Sequence, residues 1–154
     1  GNAVGRGDPR GVAWAGGAGY AITCGTQLAS AMVLLFGAGA IASVWTKDAA
    51  VAALAAQLMV LAAAFQFSDG IQAASAGALR GLKDTRLPAI ITVLSYWGLG
   101  MPLGYWMGIV NGQGAHGMWY GLILGLSAAA LMLTIRFVIL ARRLRRRALA
   151  ASAR

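Results

Sequence analysis

Four stretches of the chain are apolar over membrane-scale lengths, and short polar or turn-forming runs interrupt them at three places. About 20 apolar residues, rising 1.5 Å each, cross a bilayer as a helix. The pattern predicts helices over residues 11–39, 49–79, 87–110 and 117–140. Asp8-Pro9 offers the first a capping carboxylate and a first-turn proline, and Thr46-Lys47-Asp48 caps the second in the same way. Lys83-Asp84-Thr85-Arg86-Leu87-Pro88 breaks the chain before the third, with Pro88 tolerated in the first turn. Asp8 and Asp84 both stand at helix starts, where capping is a sufficient role. Asn111-Gly112-Gln113-Gly114 ends the third helix with turn residues. Residues 41–45 read as an interfacial turn, with Trp45 at headgroup depth. The second segment exceeds what a bilayer requires, so it tilts or extends into water at its C-terminal end.

Composition agrees with this pattern. The chain is 59% hydrophobic and 11% charged, whereas a soluble domain carries about 25% charged residues. The expected fold class is therefore an all-α, polytopic membrane protein with four transmembrane helices. Residues 1–10 look like the end of a preceding helix and a loop, 11–140 form the membrane part, and 141–154 form a basic tail. With Gly1-Asn2 at its start and no secretory pattern, the chain reads as a fragment of a longer protein.

The net charge of +9 suggests nucleic acid until the basic residues are located. They lie between or beyond the apolar segments and not along a face that could follow phosphates, so a nucleic-acid partner is not expected. Arg6, Arg10, Arg80, Lys83, Arg86, Arg136, Arg142, Arg143, Arg145, Arg146, Arg147 and Arg154 fall on one side of the alternating spans, and only Lys47 on the other. The positive-inside rule makes that first side cytoplasmic, with the C-terminus inside. The arginines of 142–147 serve as a topology anchor near anionic headgroups. Cys24 is the one cysteine, which leaves no internal disulfide and no multi-thiolate metal site. His116 is likewise alone, and reads as interfacial.

Asp69 is the only acidic residue within a membrane-length apolar segment. A charge at the bilayer centre costs about 2.5–3.5 kcal/mol on insertion scales, and such groups usually face a bundle interior or a wet cavity. At about 100° per residue, Gln66 and Gln72 each lie about 60° from Asp69, and Gln57, Ser68 and Ser75 complete the same half-cylinder. Val60, Phe67, Ile71 and Ala78 occupy the opposite face. A carboxylate flanked by amide oxygens one turn away can hold a proton or a desolvated cation such as Na⁺. The competing role is structural, an aspartate that bonds a neighbouring helix and holds the bundle together.

Glycines recur through the segments, among them Gly16, Gly17, Gly19 and Gly25 in the first. Gly100, Gly104 and Gly108, and Gly121 with Gly125, form small-xxx-small steps that permit close helix approach. Pro102 removes a backbone hydrogen bond from the third helix and is a candidate bend or conformational hinge. No phosphate loop, dinucleotide fingerprint, paired histidines or nucleophile elbow is present, so an enzyme is not expected.

Three stretches together resemble the multidrug and toxic compound extrusion (MATE) family, in its NorM branch. They are Gly1-Asn2-Ala3-Val4-Gly5-Arg6-Gly7-Asp8-Pro9; Phe65-Gln66-Phe67-Ser68-Asp69-Gly70-Ile71-Gln72 with Gly77 through Pro88; and Ser95-Tyr96-Trp97-Gly98-Leu99-Gly100-Met101-Pro102-Leu103-Gly104-Tyr105. The resemblance implies helices 9–12 of a transporter, most of its C-terminal six-helix lobe, in the plasma (inner) membrane. It implies export of cationic or aromatic drugs in exchange for Na⁺ or H⁺, without a cofactor, by rocking of two lobes. Asp69 matches the coupling aspartate of the tenth helix, whose partner glutamate would lie upstream of Gly1. The expected partners are the bilayer, the parent's remaining helices including the N-terminal lobe, and the drugs. Two alternatives stand beside this: a lipid-linked saccharide flippase of related helix plan, and a four-helix scaffold subunit that moves nothing.

Overall fold

The computed structural model describes residues 1–152, so Arg154 of the basic tail lies outside the described residues. A short helix, α1 (Asn2–Gly5), leads through Gly7 at φ +64° to α2 (Pro9–Trp45). Asp8 caps α2, its carboxylate accepting from the Gly11 N–H at 2.9 Å, with Pro9 in the first turn. Asp48 caps α3 (Ala49–Gly81) by accepting from the N–H groups of Ala50 and Val51. Then follow α4 (Arg86–Val110) and α5 (Gly114–Ser152). Four of these helices are long and apolar enough to cross a membrane, as the pattern predicted.

Two boundaries depart from the expectation. Residues 41–45 continue α2 as helix, which ends only where Thr46 turns extended at φ −143°. Nothing in Ile41-Ala42-Ser43-Val44-Trp45 breaks a helix, since the run contains neither Gly nor Pro. At the other end, α5 runs through the basic tail, whose arginines and alanines are strong helix formers. The length of α3 agrees with its sequence: 33 residues span about 50 Å, well beyond a hydrocarbon core of about 30 Å.

α3 is the central helix, packed between α2 and α5, while α4 packs chiefly on α5. At the end of the bundle near Asp8 and Asp84, Val12, Leu79, Leu133 and Phe137 form a buried cluster from three helices. The α4–α5 contact is built from glycine. Gly104 faces Gly121, Gly100 faces Gly125 and Gly108 faces Gly117, each so near that an added Cβ on the α5 residue would meet α4 backbone. The small-xxx-small steps therefore do what their spacing suggested. Of the α2 glycines named above, Gly16 lies against the Phe137 ring, whereas a Cβ on Gly17, Gly19 or Gly25 would meet nothing within 4 Å.

α4 is not uniform. Its α-helical segments Arg86–Val93 and Met101–Tyr105 are followed by the π-helical segments Leu94–Gly100 and Trp106–Val110. Pro102 therefore lies between two widened turns. Just before it, the Met101 N–H donates to the Tyr96 carbonyl five residues back. Widened turns re-register the backbone ladder where proline removes a donor.

Candidate functional site

Four polar residues of α3, Gln66, Ser68, Gln72 and Ser75, bond to three different helices. Toward α2, the amides of Gln27 and Gln66 exchange bonds with each other's backbone, at 2.9 and 3.2 Å, and Ser30 donates to Gln66 Oε1 at 3.0 Å. Gly70 makes this clasp possible, because a Cβ there would collide with the Gln27 side chain. Toward α5, Ser68 meets Ser127 at 2.7 Å and Ser75 meets Thr134 at 3.0 Å. Both pairs have the same sequence offset, and they lie one heptad apart on two helices packed side by side. Ser75 is fully buried, and its hydroxyl also lies 2.7 Å from Tyr20 Oη of α2. Toward α4, Gln72 Nε2 donates to Thr92 Oγ1 at 3.4 Å, and Thr92 in turn donates to the Pro88 carbonyl.

Asp69 stands apart from these networks. The chain contains four acidic residues, and three have protein donors: Asp8 and Asp48 cap helices, and Asp84 pairs with Arg136. Asp69 is exposed on the four-helix surface, and among the described residues no group donates a hydrogen bond to it. Tyr96 of α4 lies near enough for the two groups to interact electrostatically. Gln66 and Gln72, on the same half-cylinder of the helix, bond to α2 and α4 and make no hydrogen bond to Asp69. No cluster of three His, Cys, Asp or Glu side chains is present among the described residues. Within this chain Asp69 is a lone carboxylate on the outer face of an apolar helix.

Asp84 corrects a sequence reading. It does not cap α4, whose N-cap is Thr85 without a side-chain bond. Its carboxylate instead meets Arg136 Nε of α5 at 2.5 Å and fastens the α3–α4 turn to the last helix. The hydroxyl rungs were also missed. Their signal is present in the sequence as Ser68 and Ser75, and Ser127 and Thr134, each pair seven residues apart.

Long apolar helices, a helix-crossing hydroxyl ladder and large hydrophobic side chains on the outer faces, such as Trp14, Phe36 and Trp97, define a multi-pass α-helical membrane protein. The MatE family model matches residues 1–106, and the chain belongs to that family, the one its sequence resembles. It is 61% identical over 144 residues to a probable multidrug resistance protein NorM of Xanthomonas campestris, covering 94% of this chain and 31% of that protein. A protein of the same description from Xylella fastidiosa is 52% identical over 147 residues, with coverage of 94% and 31%. The multidrug resistance protein PmpM of Pseudomonas aeruginosa is 44% identical over 147 residues, covering 93% of this chain and 31% of its own length. The chain thus spans about a third of the length of these curated relatives.

Proposed function

We propose that this chain is part of a secondary active multidrug antiporter, a transporter and not an enzyme, that expels cationic or aromatic compounds in exchange for Na⁺ or H⁺. Asp69 is the coupling carboxylate in this reading. The observation that carries it is that Asp69 is the one acidic side chain without a protein donor among the described residues, in the middle of an apolar span. Among the described residues of these four helices no side chain takes up its oxygens in the way that Arg136 engages Asp84. The names of the relatives, multidrug resistance proteins, support the substrate class.

The mechanism follows from electrostatics. A bare carboxylate is costly in an apolar setting, and binding a proton or cation removes most of that cost. If loading favours one of two lobe arrangements, the ion gradient drives exchange; a ligand that bound both equally would shift nothing. Further oxygen ligands for a cation would come from parent helices packed on the exposed face of α3. Gln66 bonds α3 to α2 and Gln72 bonds it to α4, and Asp69, between them on the wheel, faces outward. The basic ends of the spans support a cytoplasmic C-terminus in the inner membrane, by the positive-inside rule.

The test is ethidium efflux from vesicles carrying the complete parent protein, under imposed Na⁺ or proton gradients, for wild type and Asp69→Asn. Gradient-driven efflux that is lost in the mutant supports the reading and names the ion. Unchanged efflux would make Asp69 structural, and absence of efflux from the wild type would point to another cargo, lipid-linked saccharides first.

A further inference from the structure

One side-chain hydrogen bond links α3 to α4, which otherwise touch little. The two helices are joined by a tight turn and run antiparallel, and Gln72 on α3 meets Thr92 on α4. Asp69 lies three residues before Gln72, and Tyr96 four residues after Thr92. In an antiparallel pair, both steps lead one turn in the same direction along the helix axes. Asp69 and Tyr96 therefore stand at one level, and they are near enough for the carboxylate charge to act on the phenol.

Tyr96 has a hydroxyl to offer there. Among the described residues its Oη has no hydrogen-bond partner, whereas Gln72 and Thr92, one turn away, are occupied with each other. Its neighbour Ser95 is buried, with its carbonyl near Gly125 of α5. Tyr96 also belongs to the π-helical segment Leu94–Gly100, and its carbonyl accepts the widened-turn bond from Met101. π-Turns inside α-helices recur at functional sites, where they re-aim side chains.

We infer that Tyr96 is a second member of the ion site, which supplies from α4 the oxygen and the proton donor that Asp69 lacks. This rests on the reading of Asp69 as the coupling carboxylate. A phenol suits both loading states. It donates to the bare carboxylate, and it turns a lone pair toward a cation or toward the proton of the neutral acid. Loading at Asp69 is thereby felt in the π-turn of α4, the helix that carries Pro102.

The experiment uses the complete parent protein in proteoliposomes, with ethidium efflux measured against coupling-ion concentration and against ethidium concentration. Tyr96→Phe is expected to raise the half-saturating ion concentration by roughly ten- to a hundredfold, the scale for losing a hydrogen bond to a charged group. Its half-saturation for ethidium stays at the wild-type value. Thr92→Val, which removes the partner of Gln72 and loosens the register, shifts the ion dependence in the same direction by less. Tyr105→Phe, which alters an exposed tyrosine further along α4, changes neither. If Tyr96→Phe and Thr92→Val keep the wild-type ion dependence while Asp69→Asn abolishes coupled efflux, Tyr96 is overturned and Asp69 stands. Coupled efflux retained by Asp69→Asn overturns the carboxylate reading, and Tyr96 with it. Equal weakening of ion and ethidium dependence in Tyr96→Phe marks a packing defect and also overturns the inference.

Discussion

Ser75 Oγ lies 3.0 Å from Thr134 Oγ1, one heptad along from the Ser68–Ser127 contact at 2.7 Å, so α3 and α5 are held in register by two hydroxyl rungs. Each inner hydroxyl also bonds its own helix, Ser75 to the Ile71 carbonyl and Thr134 to that of Ala130, which leaves no polar atom of the rung facing hydrocarbon unpaired. Without water to take up an unpaired hydroxyl, such satisfaction matters more in a membrane than at an aqueous surface.

Replacing Ser75 tests the rung directly. Ser75→Ala removes the bonds to Tyr20 and Thr134, and interhelical bonds in membranes average about 0.6 kcal/mol. A loss of roughly 1 kcal/mol is expected on that scale, read as a small drop in the unfolding temperature of the parent protein in detergent. Ser75→Leu should cost more, about 1–3 kcal/mol from overpacking, because the position is fully buried among three helices. Similar stability for Ala and Leu would show that the site is less tightly packed than the structure has it.

The glycine seam between α4 and α5 predicts a sharp positional contrast. A Cβ on Gly121 would run into the Gly104 backbone, which has no flexible end to move aside. Gly121→Ala should therefore separate the helices, at a cost of about 1–3 kcal/mol. Gly17→Ala faces open space in this chain, and by helix propensity it should be neutral or stabilising, by up to about 1 kcal/mol. Thermal unfolding of both variants decides the matter, and equal effects would contradict the close α4–α5 approach.

The membrane class and all four spans were legible because they depend on local properties, length and apolarity, that each segment carries alone. Asp69 stood out for the same reason: one carboxylate in an apolar run needs no partner to be noticed. Asp84 shows where such reading ends. Its neighbours in sequence suggest a cap, but its partner Arg136 lies 52 residues away, and only packing brings α5 beside the turn. The hydroxyl rungs were hidden in the same way, since seven-residue spacing in each helix says nothing of which helices meet. Gln66 illustrates a third limit. The helical wheel puts it on the half-cylinder of Asp69, yet Gln27 and Ser30 on α2 engage its amide.

The Asp84–Arg136 pair is half-sheltered, with side-chain exposures of 16% and 29%, so solvent screens it in part. Its expected coupling is about 0.5–1 kcal/mol, measured by a double-mutant cycle of unfolding temperatures with Asp84→Asn and Arg136→Gln. The swap Asp84→Arg with Arg136→Asp should recover part of the loss. Additive single effects would mean that the contact does not hold the α3–α4 turn on α5.

That same turn contains the one non-glycine residue at positive φ among the described residues, Lys83 at +61°. It follows the end of α3, where the N–H groups of Leu82, Lys83 and Asp84 fold back onto the carbonyls of Ala78, Leu79 and Arg80. A left-handed residue is what this reversal requires, and glycine occupies it without the clash of a Cβ with the following carbonyl. Lys83→Gly removes that strain but loosens the unfolded chain, so the net gain is about 0.5 kcal/mol. Lys83→Val adds β-branching to an unfavourable φ and should lose at least about 1 kcal/mol. The order Gly above Lys above Val in unfolding temperature is the expected result, with the Asp84–Arg136 pair intact in each. A valine variant as stable as wild type would show that the turn can reverse α3 without the left-handed residue.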